Sequence, residues 1–143
     1  MSLKMIGLFF LNTWLWGMTW GMYHVLVNIL ITLLLLKIVG RLKLMPSILF
    51  GFFSNVFAFA LYKIIILFLV FVVKLQYVQP DAPITINVLS ACISLGLVYA
   101  AFQSLFFVMV NKFYSLSVRV ATLIVFTSNI VSALLMYKFL EIS

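Results

Sequence analysis

Four carboxamides stand at matched distances from the ends of four apolar runs. Asn28 lies nine residues before Lys37, Asn55 eight after Ser47, Gln103 eight before Asn111, and Asn129 ten after Arg119. At about 1.5 Å of helix per residue, each falls about 12–15 Å in, near the middle of a hydrocarbon core about 30 Å thick. An amide both donates and accepts hydrogen bonds, so a layer of four can do either of two things. It can clamp helices together, since amide bonds and small residues hold helices where hiding apolar surface gains nothing. Or it can offer a small solute or ion a polar site at the midplane. Small residues accompany it at helical spacing: Gly51, Ser54 and Ala58 on one run, Ser90, Ser94, Ala101 and Ser104 on another.

His24 precedes Asn28 by four residues and Thr32 by eight, so the three share a helix face. Histidine can switch charge near neutral pH; one placed near aromatic residues more often serves as a structural hydrogen-bonder. Tyr99 falls at a similar depth on the third run and is its expected partner. Lys63 is more unusual, because the apolar residues Ile64 to Val73 follow it. A lysine at the centre of a span costs about 2.5–3.5 kcal/mol on insertion scales. Either it snorkels toward the near interface, or it meets an anion: a lipid phosphate, a substrate, or a carboxylate on another subunit. Lys37, Arg41 and Lys43 crowd one turn and suit lipid headgroups, at about 1 kcal/mol each beside an anionic leaflet.

Other chemistry lacks its parts. Both acids, Asp81 and Glu141, stand at the edges of apolar runs, which leaves no carboxylate pair for acid–base catalysis and no buried acid for proton coupling. One cysteine and one histidine cannot build a zinc site. Cys92 lies within an apolar run and reads as a small hydrophobe with no intrachain disulfide. Phosphate-cradling glycine loops, zinc-protease helices and nucleophile elbows are missing from the sequence. The expectation is a protein that is not an enzyme and has no metal or cofactor.

The elements that must position these groups follow from composition. Of 143 residues, 67% are hydrophobic and 8% charged, with a mean hydropathy of +1.35. So few charges cannot coat a soluble globule, and so much apolar surface excludes disorder. Nine Lys and Arg against two acids give +7. Seven of the nine are lysines and most end apolar runs, which points to lipid and topology and away from nucleic acid. The runs predict spans over residues 21–38, 47–73, 84–110 and 118–140 of a single transmembrane domain. Pro46 and Ser47 open the second, and Gln76 to Pro83 forms a loop around Pro80 and Pro83. Trp14, Trp16, Trp20 and Tyr23 form an aromatic belt at the start of the first span. Residues 3–20 either lie on the membrane surface or extend that span; no cleavage signal marks them for removal. No internal repeat is evident.

Four spans joined by short turns must alternate. One side then holds Lys37, Arg41, Lys43, Lys112 and Arg119, the other Lys4, Lys74 and Lys138. The richer side is expected in the cytoplasm, with both termini opposite. The expected fold is all-α, an antiparallel four-helix transmembrane bundle. The expected role is a small non-catalytic subunit or assembly factor of a larger membrane complex, partnered by the bilayer and by other membrane subunits or its own copies. The alternative is a small oligomeric transporter, channel or lipid flippase with the amide layer as its path.

Overall fold

The computed structural model of the chain describes residues 3–68, 88–113 and 116–142, with residues 3–20 and residue 142 as backbone only. The expected Gln76–Pro83 loop, Lys74, Asp81, the end of the second run and the start of the third lie outside the described residues. Four helices follow in order: α1 (Leu3–Ile38), α2 (Leu44–Leu67), α3 (Val88–Val110) and α4 (Val118–Ile142), with a single 3₁₀ turn, Asn111–Phe113, after α3. Each contains a stretch long and apolar enough to cross a bilayer, and the described residues contain no strand. The protein is an all-α, four-helix bundle of the integral membrane class.

Two boundaries bear on what was expected. Of the two courses open to residues 3–20, the backbone continues the first helix, so that one helix of 36 residues starts at Leu3. At 1.5 Å per residue it is about 54 Å long, well beyond the hydrocarbon thickness. The second helix begins at Leu44, so Pro46 is its third residue. Proline costs nothing there, because the N–H groups of a first turn have no helical partner. The ladder starts one residue later, where Ser47 donates both its N–H and its hydroxyl to the Lys43 carbonyl.

The α1–α2 turn is tight. Val39 and Gly40 N–H both reach the Leu35 carbonyl, and Leu42 N–H reaches that of Leu36. A methyl group on Gly40 would lie 2.6 Å from the Leu36 oxygen, so only glycine fits. Arg41 then takes the left-handed conformation, φ 52°, which L side chains rarely adopt. Lys37, Arg41 and Lys43 are all exposed on this turn; Lys112 and Arg119 are exposed on the neighbouring α3–α4 turn.

Burial is inside out relative to a soluble bundle. Leu30 is 65% exposed and Leu123 63%, while His24, Asn28, Thr32, Gln103 and Asn129 are all at 0%. That distribution costs nothing when the surroundings are lipid, and polar groups gain by turning inward. Two apolar clusters flank the polar level. One packs Val25, Ala58, Tyr62, Leu95 and Met136; the other, nearer the basic turns, packs Leu36, Phe107, Leu116 and Ile124.

The chain repeats itself, contrary to the expectation from sequence. Buried positions 21, 24, 25, 28 and 32 of α1 recur at 96, 99, 100, 103 and 107 of α3, the same 75-residue step that separates Asn28 from Gln103. Buried positions 47, 51, 54, 55, 58 and 62 of α2 recur in α4 with a step one residue shorter. Glycine matches glycine (Gly21, Gly96), amide matches amide, and Ser54-Asn55 matches Ser128-Asn129. Both hairpins therefore run in the same sense, related by a pseudo-twofold axis along the bundle. Most matched positions hold interchangeable apolar residues, which is why the repeat is faint in the sequence.

Candidate functional site

The four carboxamides meet on that axis. Asn28 Nδ2 donates to Asn55 Oδ1 at 2.6 Å and to Gln103 Oε1 at 3.1 Å. Asn129 Nδ2 donates to the same Gln103 oxygen at 2.8 Å. Residues from all four helices are thus joined through side-chain amides.

Hydroxyls complete the network. Gln103 Nε2 donates to Ser54 Oγ at 2.8 Å and to Thr32 Oγ1 at 3.4 Å. Thr32 donates to Ser128 Oγ, and Ser132 donates to Asn28 Oδ1. His24 joins at one end, its Nε2 3.0 Å from Asn129 Oδ1. These partners extend the sequence-derived set by Ser54, Ser128 and Ser132. Their signal was present as serines next to an asparagine or one helical turn from it.

The pseudo-twofold shows in the bonds. Asn55 and Asn129 each donate to the carbonyl four residues back, Gly51 and Val125, both at 2.8 Å. Ser54 and Ser128 donate to the same two carbonyls from three residues on. The Ser-Asn step therefore fixes its own rotamers against the preceding turn before it reaches across the bundle.

Close packing brings the amides within reach. On α2, Gly51, Ser54 and Ala58 are buried, and Gly51 lies against Leu33 of α1. On α3 the packed stripe is not the one read from sequence. Ser90 and Ala101 are exposed and Ser94 and Ser104 half-buried; the buried stripe runs through Ala91, Cys92, Leu95, Gly96, Tyr99, Ala100 and Gln103. Gly96 lets α4 approach until a methyl on it would lie 2.9 Å from the Asn129 carbonyl oxygen.

His24 and Tyr99 are neighbours, but they meet ring to ring, with centroids 5.2 Å apart and planes tilted by 42°. Tyr99 also stacks on Tyr62 at 5.1 Å. Lys63 stands apart from the network, half-buried, with its ammonium 5.2 Å from the centroid of Phe59 one turn earlier. A ring face attracts a cation, so some of the lysine's cost is offset within its own helix. At the opposite end from the basic turns, Lys138 and Glu141 form an exposed ion pair of 2.9 Å.

Among the described residues, no group of three or more His, Cys, Asp or Glu side chains could hold a metal ion. The arrangement can do one thing without help: tie four helices together in an oily medium. Fold and site define a polytopic membrane bundle with a buried polar axis. Neither a family model, nor a curated protein, nor a solved structure matches the chain.

Proposed function

We propose that this chain is a small non-catalytic integral subunit or assembly factor of a larger membrane complex. The supporting observation is that the four carboxamides and their hydroxyl neighbours bond mainly to one another. The amides and hydroxyls that a substrate would need are spent on one another, at distances of 2.6 to 3.4 Å. What the protein offers to others is its outer surface, apolar faces for lipid or neighbouring helices. In this reading the basic turns rest against the anionic cytoplasmic leaflet, with Lys37, Arg41 and Lys43 on headgroup phosphates and both termini on the opposite side. Purification in a gentle detergent followed by mass determination of the intact assembly tests it. A partner of fixed stoichiometry is the expected result. A solitary chain that drives solute flux in liposomes would overturn it.

That second outcome has an observation of its own. Some transporters are built from parallel repeats about an axis along the membrane normal, with a polar site where the repeats meet. Here the two hairpins and the amide level have that disposition. On this reading the protein is a small oligomeric transporter, channel or lipid flippase, and the hairpins must part to admit a solute. The two readings separate at Asn129→Ala. A subunit loses assembly in proportion to its lost stability; a transporter loses flux beyond it.

A further inference from the structure

At the His24 end of the polar axis the hydrogen bonds do not close. Asn129 uses both of its amide hydrogens, one on Gln103 Oε1 and one on the Val125 carbonyl, each at 2.8 Å. Its Oδ1 can therefore only accept, and it accepts from His24 Nε2 at 3.0 Å. The imidazole proton is thereby fixed on Nε2. In a neutral ring Nδ1 is then a bare lone pair, which needs a donor.

Nδ1 of His24 is buried without a hydrogen-bond partner, and so is the hydroxyl of Tyr99 beside it. The two residues are 0% and 1% exposed. The phenol hydroxyl lies against the α1 backbone at Gly21, where an added methyl would be 2.9 Å from it. Gly21 is one turn before His24, and helical side chains lean toward the preceding turn. The hydroxyl therefore takes the space that glycine leaves, one turn before His24, whose ring centroid is 5.2 Å from that of Tyr99. At the equivalent pair one turn along the axis, Asn28 and Gln103, the two side chains bond directly. At His24 and Tyr99 they present an acceptor and a hydroxyl, each without a partner.

The needs of the two groups define a guest. It must donate to Nδ1 and accept from the phenol, which a single hydroxyl does. An anion would be repelled by the Nδ1 lone pair, and a cation would leave the phenol hydrogen without an acceptor. We propose that His24 Nδ1 and Tyr99 Oη form a binding site for one neutral hydroxyl-bearing molecule, water or a small alcohol, next to Gly21. The site depends on neither functional reading above.

The chain's lone histidine makes the test direct. Full-length protein carrying ¹⁵N-histidine is placed in lipid bilayers and examined by solid-state NMR, alone and with ¹³C-methanol as probe. The expected result is the Nε2–H tautomer with Nδ1 shifted by an accepted hydrogen bond, and with magnetisation reaching it from a guest hydroxyl. Transfer from water that methanol does not displace identifies water as the guest; a methanol contact identifies a solute site. Tyr99→Phe keeps the ring and should lose the Nδ1 shift. An unshifted Nδ1, a proton on Nδ1, or a bond from the phenol alone overturns the proposal, as does a Tyr99→Phe spectrum that matches the parent. If that variant does not fold, the parent spectrum alone decides.

Discussion

Gln103 is the residue on which the polar axis turns. It accepts from Asn28 and Asn129 and donates to Ser54 and Thr32, so its loss strands groups on three other helices. Single interhelical bonds in membranes average about 0.6 kcal/mol, but a buried group left without a partner costs about 1–3 kcal/mol. Gln103→Ala should therefore destabilise the bundle by about 2–3 kcal/mol, more than Ser132→Ala, which removes one donor to Asn28. Cys92, buried and the chain's sole thiol, supplies the measurement. Its labelling by a maleimide dye reports opening of the bundle, and the labelling midpoint should fall to lower temperature in that order. Arg41 predicts the opposite sign. Glycine accepts a positive φ that costs other residues about 1–2 kcal/mol. Arg41→Gly should raise the labelling midpoint by an amount equivalent to about 1 kcal/mol. A lower midpoint would show that the guanidinium makes contacts that outweigh its backbone strain.

At the scale of helices, glycine positions separate two kinds of contact. A methyl on Gly96 would meet the Asn129 carbonyl at 2.9 Å and Ala133 at 3.1 Å; on Gly51 it would meet Leu33 at 3.4 Å, an ordinary contact. Gly96→Ala should push α3 from α4 and cost about 1–3 kcal/mol as an overpacked core does. Gly51→Ala should be close to neutral or stabilising, because alanine loses less backbone entropy in a helix. Thermal unfolding of the two variants side by side checks the contrast. The number of helices and the common level of the amides along the bundle were legible in the sequence, because run length and a rise of 1.5 Å per residue fix both. Rotation about each helix axis was not. With apolar residues on every side, periodicity does not mark the inward face, so the α3 stripe was read through its serines while Gly96 and Tyr99 carried the packing. The partner of Lys63 was legible in principle, since Phe59 stands four residues earlier on the same face. The continuous α1 was obscured by Asn12, Thr13 and the tryptophans, which a helix tolerates.

For the molecule as a whole, the proposed sidedness, with the basic turns in the cytoplasm, is tested at a turn. A cysteine placed at Ser117, in the α3–α4 turn, should react with a membrane-impermeant maleimide only in inside-out vesicles, with Cys92 silent in the folded protein. Labelling in intact cells would reverse the assignment of the basic end. The paired hairpins have a consequence for biogenesis. A chain that threaded one hairpin backwards would keep the bonds within each hairpin, Asn28 to Asn55 and Asn129 to Gln103. It would lose those between hairpins, among them Asn28 to Gln103, Gln103 to Ser54 and Ser132 to Asn28. The buried groups so stranded make a misthreaded copy the less stable one, and the bonds between hairpins favour the copy whose hairpins entered in the same sense.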